Sequence, residues 1–175
     1  MNRILIVCCL LLSIAACQTP NIADDNATVS LTPAIATVTL NKEFPIRPDR
    51  TNEYIQNGEI TLFEHISEYD PFCKLELRNL AEVARVIQPD TFTVSRIYQE
   101  TEFAGFRKMI LAGDGSSGLI MSTTYLYLQS EKQPGIFRLS CMRLDMSFYA
   151  RHVSVNEMRD TLGSMLTLST QGSEP

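Results

Sequence analysis

Two short stretches of this chain alternate apolar and polar residues with a period of two, and each carries a cysteine on its apolar side. In Cys73-Lys74-Leu75-Glu76-Leu77-Arg78 the odd positions are apolar and the even ones charged. In Phe137-Arg138-Leu139-Ser140-Cys141 the same alternation groups Cys141 with Phe137 and Leu139. A helix returns to one face every third or fourth residue, whereas successive residues of a strand point to opposite faces. The spacing therefore predicts two strands, each with one buried face. It places a cysteine on each of those faces, where the two can face each other in the core.

Whether such cysteines pair depends on the compartment, and the N-terminus bears on that. Arg3 supplies a single positive charge, residues 4–16 carry none, and small residues precede Cys17. This is the layout of an export signal. Thirteen residues as a helix reach about 20 Å, short of the ~30 Å hydrocarbon core, so a cleaved signal fits better than a membrane span. Ile14-Ala15-Ala16-Cys17 resembles the lipobox of bacterial lipoproteins, with Ile where Leu is more usual. The resemblance covers residues 1–17. It implies cleavage before Cys17, diacylglycerol on its sulfur and a fatty acyl chain such as palmitate on the new amino group. At about 0.8 kcal/mol per buried CH₂, two or more chains anchor stably where one does not. Gln18 stands where lipoproteins retained in the inner membrane carry Asp, which implies the periplasmic face of the outer membrane. The alternative is an ordinary secretory signal cut after Ala16.

Cleavage removes Cys8 and Cys9, and lipid consumes Cys17. Cys73 and Cys141 remain as an even pair in an oxidising compartment, the setting in which disulfides persist. A bridge between them closes a loop of roughly 70 residues and adds about 4 kcal/mol on the chain-entropy model. The alternatives are free thiols or a metal site. A metal site needs further ligands, and only His65 and His152 are on offer, without short ligand spacing. No metal and no cofactor are expected.

Of the 175 residues, 45% are hydrophobic and 20% charged, enough apolar material for a folded core. The formal charge of −5 becomes −6 without residues 1–16, which argues against nucleic acid as a partner. Residues 17–35 are small and polar and read as a lipidated N-terminus and flexible tether. Residues 36–168 read as one domain and 169–175 as a polar tail. Within the domain Ile60–Ile66, the Cys73 run, Phe92–Tyr98, Leu119–Gln129 and Ile136–Met146 are strand-like. Phe44-Pro45-Ile46-Arg47-Pro48 reads as extended but irregular, because proline cannot donate to a ladder. Residues 80–87 fit either a helical stripe or a strand. Asn57-Gly58 is a turn signal. Ser154-Val155-Asn156-Glu157 is a capping box, Met158 and Leu162 lie one turn apart behind it, and Gly163 is a stop. The expected fold is mainly β, a small antiparallel sandwich or partly open barrel with one C-terminal helix.

Few residues suggest chemistry. Gly113–Gly118 lacks the Lys-Ser/Thr of a phosphate loop and reads as a hairpin turn. His65 and His152 have no nucleophile motif with them. Glu64 with Glu68, and Glu100 with Glu102, read as solvated faces rather than a hydrolase pair. Asn26-Ala27-Thr28 matches a glycosylation sequon that a bacterial lipoprotein would not ordinarily use. Tyr125 and Tyr127 share a strand face with Thr123 and form a candidate interaction patch, with core packing as the alternative. Phe103 and Phe106 flank Gly105 beside Arg107-Lys108 as a second such group. The expected function is that of a lipid-anchored envelope lipoprotein acting by binding. Its partners would be the membrane through its lipid and an envelope protein, peptidoglycan or a lipid-like ligand. The alternatives are a module similar to the small β-barrel lysozyme inhibitors, whose tryptophan-bearing loops have no counterpart here, and a periplasmic hydrolase.

Overall fold

The computed structural model describes residues 35–104 and 118–170. The leader, Cys17, the tether up to residue 34, the Asn26 sequon, the run Phe106–Ala112, the glycine-rich turn up to residue 117 and the last five residues lie outside the described residues. Ten strands and one helix follow in order: β1 (Ile35–Leu40), β2 (Phe44–Ile46), β3 (Asn52–Gln56), β4 (Glu59–Thr61), β5 (Phe72–Leu77), β6 (Arg85–Ile87), β7 (Asp90–Phe103), β8 (Leu119–Gln129), β9 (Ile136–Met146), α1 (Val155–Leu162) and β10 (Leu166–Thr170). Eight strands form one sheet in the order β10-β1-β7-β8-β9-β5-β3-β4, and β2 pairs with β6 in a second. Every pairing is antiparallel. The protein is thus mainly β, an antiparallel half-barrel with a single C-terminal helix.

The inner face of the half-barrel is the core. Ile55, Cys73, Leu75, Leu126, Leu128, Leu139 and Cys141 are fully buried there, together with Val38 and Leu40 of β1 and Leu166 and Leu168 of β10. Met158 and Leu162 of α1 close this core from above, one turn apart as their spacing requires. Cys73 and Cys141 are bonded, 68 positions apart in the chain. They are direct partners in the β5–β9 ladder, with Cα atoms 4.1 Å apart, the closer of the two pair types in an antiparallel ladder. They therefore lie side by side in one sheet, pointing into the core together, rather than meeting across it.

Several local expectations change. Phe137 does not share the face of Cys141. The β5–β9 register slips between Glu76 and Leu77, where Phe137 is the extra residue on β9, and a bulge turns its side chain to the outside. The run after Ile60 leaves the sheet at Thr61, and Phe63–His65 forms a 3-10 turn. Among the described residues β4 is an edge strand held only by β3, and the Phe63 ring after it lies tilted 5.3 Å from that of Tyr54. Phe44-Pro45-Ile46 is a strand after all: among the described residues it pairs only with β6, which leaves one free edge where a proline is tolerated. The helical stripe at residues 80–87 is unused. Leu80 and Val83 are exposed, and only Ile87 is buried, from β6. Ser169 and Thr170, read as tail, pair with Thr37 and Ile35.

The helix begins as its capping box dictates. Glu157 N donates to Ser154 Oγ at 3.3 Å, and Ser154 N donates to Glu157 Oε2 at 2.9 Å. Arg151 and Arg143 also reach Glu157, at 2.6 and 3.1 Å. The Arg151 guanidinium, then the bonds from Ser154, hold the Glu157 carboxyl well below the usual carboxylate range. A carboxyl whose folded pKa is depressed stabilises the fold above its unfolded pKa, and the benefit fades as pH falls below that point. Melting curves from neutrality down to acid should lose stability below about pH 4. Glu157→Gln should flatten that limb. Ser154→Ala should cost about 1 kcal/mol near neutrality and less in acid, where Glu157 no longer needs its hydroxyl.

Candidate interaction face

The ladders fix which side chains gather on the outer face of the sheet. One row runs Tyr98, Tyr125, Ser140, Lys74, Tyr54 across β7, β8, β9, β5 and β3. The next runs Arg96, Tyr127, Arg138, Glu76, Asn52. Neighbours in such rows are within contact distance, so alternation along each strand becomes a surface array. Leu126 between the two tyrosines points the other way and is fully buried.

Rings and guanidinium groups interleave in this array. The Tyr98 and Tyr125 rings stack with centroids 6.0 Å apart, Tyr125 and Tyr127 lie at 6.5 Å, and Phe137 meets Tyr127 edge-on at 5.6 Å. Arg96 lies 4.0 Å over Tyr127, Arg138 lies 4.3 Å over Tyr125 and 4.9 Å over Phe137, and Arg78 lies 5.1 Å over Phe137. A cation over a ring face gains about 0.5–2 kcal/mol, more as water is excluded. Glu76 anchors the array from the neighbouring strand β5. It is nearly buried and accepts from Arg138 Nε at 3.0 Å, Ser140 Oγ at 2.6 Å and Lys74 Nζ at 3.4 Å. Tyr125 and Tyr127 are half-buried by their neighbours, and Tyr98 is 49% exposed. The outer face is thus neither a core nor a scatter of solvated charges.

Tyr125 donates to Glu100 Oε2 at 2.9 Å. Burial first, and this bond to a carboxylate second, push its phenol up to about 12. A phenol in water ionises near pH 10. The folded state therefore keeps this proton where the unfolded chain gives it up, and stability falls between pH 10 and 12. In an alkaline absorbance titration of the folded protein, the phenolate step near pH 12 should disappear in Tyr125→Phe.

The other candidates are scattered. His65 sits exposed in the 3-10 turn after β4. His152 is half-buried before α1, its Nε2 3.5 Å from Thr101 Oγ1, and burial lowers its pKa. An open groove of about 1040 Å³ runs between Thr39, Arg78, Asp90, Gln129 and Lys132, and neither histidine lines it. Among the described residues no group of three His, Cys, Asp or Glu could hold a metal ion. Phe103 is exposed at the far end of β7, opposite Ile120, and Phe106, Arg107 and Lys108 lie outside the described residues.

Sequence reasoning found Tyr125 and Tyr127 and missed Arg96, Arg78, Arg138 and Phe137. The signal for Arg138 was present, since the alternation that sends Leu139 inward sends Arg138 outward. Phe137 was hidden by the bulge. No family model, curated protein or solved structure matches the chain.

Proposed function

We propose that this protein is a lipid-anchored lipoprotein of the bacterial cell envelope, held at the periplasmic face of the outer membrane by Cys17, that acts by binding a protein partner rather than by catalysis. The reading of its location rests on the leader and on Ile14-Ala15-Ala16-Cys17. The reading of its activity rests on one observation: the array of Tyr98, Tyr125, Tyr127 and Phe137 with Arg78, Arg96 and Arg138 on the side of the sheet opposite the core. Tyrosine offers large contact area at low entropic cost, and tyrosine and arginine are both enriched where proteins meet. Glu76 and Glu100 hold the array in place before any partner arrives, which lowers the ordering cost of binding. The disulfide serves the same end, tying β5 to β9 directly beneath it.

Two measurements test this. Fatty-acid labelling in cells should mark the wild-type chain and not Cys17→Ser, and an unlabelled wild type would remove the anchor. A photo-reactive phenylalanine in place of Tyr127 should give one discrete protein adduct, absent when the same group replaces Glu59 on the far edge. Identical adduct patterns from both positions, or capture of isolated peptidoglycan instead, would remove the protein-partner reading.

A further inference from the structure

β1 covers only the first part of β7. Its register runs from Leu40 opposite Asp90 to Thr37 opposite Thr93 and stops there. β8 takes the other side of β7 all the way to Phe103. Among the described residues no strand pairs with the remaining edge of β7, from Val94 to Phe103. A long open edge is a template for another strand, and proteins usually blunt such edges with proline, lysine or shortness. This one has no proline and no lysine.

The phase of the edge follows from one bond. Ala104 N donates to Leu119 O at 2.9 Å, in the same register as the rest of the β7–β8 ladder. In an antiparallel ladder the backbone groups of successive residues turn to opposite sides. The even residues Arg96, Tyr98, Glu100 and Glu102 therefore bond to β8. The odd residues Ile97, Gln99, Thr101 and Phe103 turn their N–H and C=O groups to the open edge. The even side chains are those of the outer face.

We propose that this edge pairs antiparallel with the same edge of a second copy, about a two-fold axis at Gln99. The inference is independent of lipid anchoring. In that register Gln99 faces Gln99 of the partner subunit, Ile97 faces Thr101 of the partner subunit, and the outward backbone groups of these three residues find a match. The even positions, which come closest across such a seam, match one ion pair and one phenol-to-carboxylate pair. Arg96 faces Glu102 of the partner subunit, and Tyr98 faces Glu100 of the partner subunit, each twice by symmetry. Neighbouring registers leave a carboxylate unmatched or opposed, even the one centred on Tyr98 that sets Arg96 against Glu100. An axis at Glu100 sets that carboxylate against its own copy, an axis at Thr101 sets Glu100 against Glu102, and an axis at Tyr98 leaves Glu102 against Val94. The seam also extends the row that already contains Tyr98 and Tyr125, so two outer faces become one.

The test is charge reversal on the full-length chain in mild detergent, read by sedimentation velocity over a wide concentration range. Wild type should sediment as a dimer. Arg96→Glu and Glu102→Arg should each halve the mass, and the double variant should restore the dimer, with circular dichroism unchanged throughout. A wild type that stays monomeric overturns the proposal, as do single variants that stay dimeric or a double variant that does not recover. Slow hydrogen exchange at the Gln99 and Thr101 amides in a monomer would also overturn it, because the chain's own residues before Ile35 would then occupy the edge.

Discussion

Replacing Cys73 and Cys141 together by alanine will lower stability by about 4 kcal/mol, the chain-entropy value for a loop of their 68-residue separation. For a domain of this size that corresponds to a fall in Tm of roughly 10–15 °C. It is a large part of the roughly 5–15 kcal/mol by which domains are stable at all. The two sulfurs are fully buried in the centre of the sheet, so the native bond is shielded from reductant and should break only on unfolding. Thermal melts followed by circular dichroism, with and without reductant, check both statements. The double variant should melt at the same temperature in either condition, well below the oxidised wild type. A fall of only a few degrees would mean that the bond adds little to a ladder already held by its neighbours.

The second large effect is at Gly163, and it comes from geometry rather than from a bond. Gly163 ends α1 with φ 55° and ψ −137°, a conformation that side-chain-bearing residues rarely adopt. Its N–H closes the helix on Arg159 O at 2.9 Å. The turn between β3 and β4 presses on the same place. Gly58 N donates to Thr161 O at 2.8 Å, and a Cβ on Gly163 would stand 2.8 Å from Gly58 Cα. Neither backbone has a flexible end that could yield. Gly163→Ala should cost about 3 kcal/mol, combining strain in the backbone with overpacking. The measurement is the denaturant midpoint at constant slope. Alanine at Gly135, where a Cβ meets nothing within 4 Å, is the control and should change it little. Equal midpoints for the two variants would show that the turn moves aside.

These two sites differ in how far the sequence announces them. The alternation around Cys73 and Cys141 already says that both point inward, and only the ladder says that they are neighbours on adjacent strands. Gly163 reads as a helix stop from its position after Leu162, but nothing in the chain marks Gly58 as the residue it must clear. Contact between positions so far apart in sequence has no local signature. The interaction face is similar. Tyr125 and Tyr127 can be read from a two-residue period on one strand, and their grouping with Arg96, Arg138 and Phe137 depends on strand order and on one bulge in β9.

Period-two patterning, a capping box and a pair of inward cysteines were enough, by themselves, to determine an antiparallel β protein with one capped helix near its end. Each is a local property, because the direction of a side chain follows from its own backbone and its nearest neighbours. Strand order, the slip at Phe137, the open edge of β7 and the choice between sandwich and half-barrel were decided by tertiary structure alone. Many strand orders bury the same inward residues equally well. What separates them is how distant segments pack, and that energy exists only once the chain has folded.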